Sequence, residues 1–340
     1  MTRTFLNTCL AVIAASFIFP AGAIADELNI YSYRQPKLLK PFLDAYSAET
    51  GVKFNIVHAP KGLAQRLQAE GASSPADIVL TTDVSRLVEL ADLDLLAPYQ
   101  SGIIEGNVPS YLRNTAGTWT ALSTRARVIV VSKSRVAEGA VGSILDLANP
   151  EWQGRLCTRK GSHVYNRALL ASLIVRFGED AAEQWAADYV GNLARRPQGN
   201  DRAQAKAIFA GECDIALMNT YYFGKMKFNE KNPEQREWAD SLRIVFTDQD
   251  SHGQHVNISG GAIVKTAPHP DAARAFLEWM TEETAQHIYA RINFEYPVNP
   301  DVKPDAEVAS WGQFIADDLP LDDIAKAAPR AQMIIDRVNW

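Results

Sequence analysis

The sequence predicts an α/β protein built as two lobes joined by two extended crossings. Three observations predict it. Short apolar strand-like runs alternate with helical patterns, the signature of a largely parallel sheet covered on both faces. That rhythm begins near residue 28, breaks off, and resumes near residue 154. Two β-rich passages, residues 119–133 and 256–264, interrupt the helical pattern. Two strands running between compact bodies also form a hinge, because the pair bends while each body stays rigid.

Residues 28–33 read as the first strand. Pro36 then sits where a first helical turn tolerates it, and Leu39, Phe42, Leu43 and Tyr46 fall on one helical stripe. Residues 52–57 alternate as a strand, and residues 63–71 read as a helix. A buried-strand run at 76–80 precedes a helix at 84–93. After the first crossing come a strand at 154–158 and helices at 165–177, 179–195 and 201–210. A strand-like run at 213–218 leads to the adjacent Tyr221 and Tyr222. Beyond the second crossing helices dominate, notably 271–280 and 283–292.

Residues 1–25 read as an export signal. Arg3 supplies the positive start, residues 10–19 are apolar, and A-x-A cleavage sites stand at 21–23 and 23–25. The apolar run is too short to span a bilayer. Cys9 precedes that run instead of ending it, so it is not expected to carry a lipid. Cleavage leaves about 315 residues, enough for two lobes with a core each. The expected division is an N-lobe of residues 26–124 plus about 255–305, and a C-lobe of residues 125–254 plus about 306–340. The formal charge of -6 argues against nucleic acid or an anionic membrane as partner.

Cys157 and Cys213 are the cysteines left after cleavage, each in a strand-like run that precedes a tyrosine segment. In an oxidising compartment they are a disulfide candidate; two buried thiols on neighbouring strands is the alternative. Enzyme signatures are missing: no G-x-S-x-G, H-E-x-x-H, G-x-x-x-x-G-K or G-x-G-x-x-G occurs. None of the six histidines has a partner at zinc spacing; His252 and His255 share a Gly-containing loop.

The tyrosines carry the chemistry. Phenol has a pKa of about 10 and is a poor ligand until it loses its proton. A strongly charged hard cation removes that proton and takes the hard oxygen. Tyr165, Tyr221 and Tyr222 therefore suggest ferric iron, against the plainer reading of half-buried aromatics. Arg125 and Arg127 lie two apart on the first crossing, on one strand face: ordinary solvated charges on an exposed edge, or, at the mouth of an interlobe cleft, a grip on an anion through the guanidinium fork. Ser162 precedes a helix whose first amides and dipole favour negative charge, with Tyr165 in that first turn.

These segments resemble the periplasmic ferric-iron-binding proteins that feed ABC importers, close to the cyanobacterial-type subgroup of bacterial solute-binding protein family 1. The resemblance spans nearly the whole mature chain. It rests on Tyr31-Ser32-Tyr33-Arg34-Gln35-Pro36, Thr124-Arg125-Ala126-Arg127-Val128, Val164-Tyr165-Asn166, Asn219-Thr220-Tyr221-Tyr222 and Phe294-Glu295-Tyr296-Pro297, among others. It implies a two-lobed periplasmic-binding-protein fold of type II and no enzymatic activity. It implies Tyr165, Tyr221 and Tyr222 as ligands of Fe(3+), and Arg125 or Arg127 as holder of a synergistic carbonate or bicarbonate. Many members place a histidine where this chain has Gln35 and Pro36, so the first lobe supplies either no metal ligand, leaving three phenolates with anion or water to complete the shell, or Tyr33 as the substitute. The implied setting is the periplasm, as a monomer serving an inner-membrane ABC permease. The rival expectations are an oxyanion or small-organic-anion receptor of the same fold, and an exported hydrolase centred on Ser259 or His255.

Overall fold

The computed structural model of the chain describes residues 27–340, so the expected export signal lies outside the described residues. Among the described residues eight strands are present: β1 (Glu27–Ser32), β2 (Lys53–His58), β3 (Ile78–Thr81), β4 (Thr120–Ser132), β5 (Leu156–Cys157), β6 (Ile215–Asn219), β7 (Leu242–Val245) and β8 (Val256–Ile263). They are ordered β2-β1-β3-β8-β4-β6-β5, with β7 also paired to β4. The expectation of a largely parallel sheet needs correction. β1–β2, β1–β3 and β5–β6 are parallel, but β4 and β8 run antiparallel to every neighbour. Those two are the crossing strands. They enter a lobe from the other lobe and have no crossover helix to turn them into line.

β4 is buried along its whole length and changes partner midway. Thr120 to Ala126 pair with β8, and Arg127 to Val131 pair with β6. The change of partner falls between Ala126 and Arg127. In the first lobe, helices Pro36–Thr50 and Pro270–Trp279 press Tyr46, Phe276 and Trp279 together, with Phe54 of β2 against Phe276. In the second, helix Asp201–Phe209 packs on β5 and β6, and helices Val164–Phe177 and Glu179–Gly191 pack on each other. Helix Leu321–Val338, which the sequence reading did not anticipate, packs on Val164–Phe177 and also on Val84–Asp92. It touches both lobes.

Cys157 of β5 and Cys213, two residues before β6, are joined by a disulfide. It ties together the strands that lead to Tyr165 and to Tyr221. Among the described residues no helix is long and apolar enough to cross a membrane.

Candidate functional site

Two chain reversals at the ends of β5 and β6 bring three phenols together. After β5 the chain turns at residues 158–163 and enters helix Val164–Phe177, capped by His163, whose Nδ1 accepts from the Tyr165 amide at 3.3 Å. β6 ends at Asn219, and helix Tyr221–Lys227 starts after the single residue Thr220. The tyrosine pair thus opens a helix and does not close a strand. Tyr221 Oη donates to Tyr165 Oη at 2.8 Å, and the Tyr221 and Tyr222 ring centroids are 4.5 Å apart. All three line a cleft of about 700 Å³ between the lobes, together with Tyr33, Arg34, Arg125, Arg202, Lys225 and Glu295.

The cleft is basic in an acidic chain. Lys225 Nζ stands 4.6 Å from the Tyr221 ring centroid, and the Arg202 guanidinium 5.6 Å from that of Tyr222. Arg159 and Arg127 flank the Tyr165 ring at 5.2 and 5.7 Å. Burial pushes Tyr221 well above the ordinary phenol value, and charge on Tyr165 or Tyr222 would push it further. Burial, followed by Tyr165, pushes Tyr222 up to about 12. At neutral pH these two phenols hold their protons, and a strong cation is what displaces them.

The crossing-strand arginines part company. Arg125 lines the cleft and donates to the carbonyl of Thr82 and, at 3.3 Å, to Ser259 Oγ, both in the first lobe. Arg127 belongs to the second lobe. It pairs with the buried Asp201 and donates to Asn219 Oδ1 at 3.0 Å and Asn166 Oδ1 at 2.7 Å. Arg159 pairs with the other oxygen of Asp201. Burial raises the Asp201 pKa, yet the two guanidiniums outweigh it and hold the carboxyl below its usual range. Side chains two apart share a strand face, but here the strand changes lobe between them.

Ser162 is exposed and does not line the cleft. Tyr33 does line it, but its hydroxyl faces the backbone at Leu63 and Ala64, and the Arg86 guanidinium covers its ring at 4.1 Å. Its oxygen is thus engaged away from the other three. Glu295 is fully engaged as well. It accepts from Arg34 at 2.8 and 3.0 Å, from Ser259 at 2.9 Å and from Ser123. Burial pushes its pKa up, but Arg34 and Arg125 prevail and hold it at about 2. Among the described residues no three His, Cys, Asp or Glu stand together as a metal site. Phenol oxygens are what this cleft offers a cation.

Arg202, Lys225, Asp201 and Glu295 were not anticipated as site residues. Lys225 carries a local signal, because it follows Tyr221 by four residues and so shares its helix face. Arg202 and Asp201 reach the site through space, with no nearby motif to announce them.

The family model described as bacterial extracellular solute-binding protein matches residues 31–287. The chain belongs to that family. This solute-binding chain is 40% identical over 353 residues to iron uptake protein A1 of Synechocystis sp., covering 99% of this chain and 98% of the relative. Among solved structures, ferric iron-binding protein A of Mannheimia haemolytica in an open conformation matches with a TM-score of 0.87 and 43% identity, over 93% of this chain and 99% of that one. A Trichodesmium protein in complex with iron and citrate ligands matches with a TM-score of 0.88 and 38% identity, over 92% and 99% of the two chains. The solute-binding family is a transport family, and its two-lobed architecture is the one described above.

Proposed function

We propose that the chain is a periplasmic receptor that captures ferric iron through the phenolates of Tyr165, Tyr221 and Tyr222 and delivers it, as a monomer, to an inner-membrane ABC permease. One observation carries the reading: three phenols meet in an interlobe cleft, two of their oxygens 2.8 Å apart, and no other metal-binding cluster is found among the described residues. The named cargo of the relatives, iron or ferric iron, agrees with it. A synergistic carbonate would complete the metal's shell. Of the groups expected to hold that anion only Arg125 lines the cleft, so its role is assigned there, and Arg127 supports the tyrosine helices from beneath through Asn166 and Asp201. Tyr33 stays outside the shell.

The moving bodies are taken as residues 27–126 plus about 255–305, and residues 127–254 plus about 306–340, the expected boundary at 124/125 shifted to where β4 changes partner. Iron shifts an open–closed population because it contacts the two states differently. The basic lining also favours a second reading, an oxyanion receptor using Arg125 and Arg202, with the tyrosines as stacking surface. Ferric titration of chelator-stripped protein separates the two. A visible phenolate-to-iron charge-transfer band is expected; tight oxyanion binding with no band would overturn the iron reading.

A further inference from the structure

The helix that opens with Tyr221 and Tyr222 is met across the cleft by a ring from the other lobe. Phe294 lies so close to Gly224 that a Cβ there would stand 2.5 Å from the ring. The same ring stacks on Phe228, with centroids 5.6 Å apart and planes 5° from parallel. Gly224 and Phe228 follow Tyr221 at helical spacing, so Phe294 docks on the helix face that carries Tyr221. Its own backbone is anchored in the first lobe. Tyr296 exchanges both backbone hydrogen bonds with Thr124, at 2.8 and 2.9 Å, and Glu295 is held by Arg34, Ser123 and Ser259.

The segment bearing this ring adopts an unfavourable backbone. Helix Glu283–Ile288 runs into a π turn, Tyr289–Asn293, and Phe294 follows at φ 58°. The other described non-glycine residues with positive φ are Asp94, Asp248 and Asn339, types that visit this region routinely; a phenylalanine does not. Beside it, the fully buried Asn293 amide has neither its oxygen nor its nitrogen partnered. Such features persist where surrounding contacts over-determine them, and they cluster at sites that move. Here the ring in the Gly224 notch is a contact of that kind.

We propose that Phe294 is an interlobe latch: seated against Gly224 and stacked on Phe228, it holds the tyrosine helix over the cleft and sets how fast cargo leaves. The cargo part rests on the ferric-iron reading; the closure part does not.

Spin labels at Lys53→Cys and Glu151→Cys, exposed positions in the two lobes, report interlobe distance while the native cysteines stay bonded. Phe294→Ala is expected to move the metal-free distance distribution toward the open form. In iron-loaded protein it is expected to speed release to excess chelator about tenfold, the scale of one lost aromatic pair, with the charge-transfer wavelength unchanged. Phe294→Gly removes the ring and relieves the backbone, so it gives the same acceleration and keeps the test valid if the alanine variant does not fold. Phe294→Tyr keeps the ring and should release at close to the wild-type rate. Wild-type distances and release in Phe294→Gly would overturn the latch. Absence of a band in the wild type would overturn the iron reading alone, since the distance measurement still decides the latch.

Discussion

Loading this cleft with ferric iron in bicarbonate-free buffer should release three protons, one for each phenolate formed. A free phenol titrates at about 10. Burial, then Tyr165, carries Tyr222 to about 12, and burial, then Tyr165 and Tyr222, carries Tyr221 well above the free value. At pH 7, with about 1.4 kcal/mol per pKa unit, deprotonating a phenol at about 12 costs about 7 kcal/mol, which the metal must supply. Because these pKa values are raised, the protonated form dominates at and below neutral pH. Iron binding therefore strengthens as pH rises and weakens as it falls. Three phenolates give a threefold slope of log affinity against pH. Tyr222→Phe keeps the ring in its packing and removes one oxygen. Its proton release should drop to two and its slope to two, with an affinity loss greater than the roughly 100-fold typical of losing a supporting group. The assay is proton release in lightly buffered solution on adding ferric nitrilotriacetate, corrected for the proton that the freed nitrilotriacetate takes up and repeated across pH. A wild type that releases no more than one proton, or a variant that releases as many as the wild type, would refute the phenolate argument.

The two crossing-strand arginines should separate functionally. Arg125→Ala is expected to abolish the sensitivity of ferric binding to bicarbonate, read by titration with and without that anion. Arg127→Ala leaves the buried Asp201 with Arg159 as its ion-pair partner and should cost about 3 kcal/mol of stability in urea unfolding. Glu295→Gln strands the buried Arg34 without its counter-charge, at about 3–5 kcal/mol by the same measurement. In the wild type the Glu295 pKa is depressed from 4.5 to about 2, so its stabilisation is complete above 4.5 and is lost as pH falls toward 2. Colour should accordingly vanish on acidification before circular dichroism changes; the two falling together in every buffer would mean that unfolding, not proton competition, releases the metal. Replacing Cys157 and Cys213 by serine opens a crosslink spanning 56 residues and should cost about 4 kcal/mol, seen as a lowered Tm.

Much of the fold is legible because each apolar run and helical stripe announces an element locally. Strand direction is not, since a buried run such as Val128 to Val131 reads the same whichever way its neighbours point. The crossings at β4 and β8 are legible as long β-rich runs, but their antiparallel direction, which makes the sheet mixed, has no local mark. The tyrosine pair reads as a strand end because helix Tyr221–Lys227 is only seven residues long, too short for periodicity to show. Residue chemistry and placement pointed to Tyr165, Tyr221, Tyr222, Cys157 and Cys213, and the structure brings the first three together and bonds the last two. The basic rim and the Arg34–Glu295 pair were not legible as a site, because Arg34 and Glu295 lie 261 residues apart and meet only in the folded chain. Arg125 and Arg127 share a strand face by alternation, yet serve different lobes because β4 changes partners between them.

Diffraction from the ferric-loaded protein, with anomalous data collected at the iron edge, decides the matter most directly. One iron peak is expected in the interlobe cleft, within bonding distance of the hydroxyl oxygens of Tyr165, Tyr221 and Tyr222, with an anion beside Arg125. An iron peak elsewhere, or an oxyanion on Arg125 and Arg202 with all three hydroxyls unliganded, would contradict the assignment.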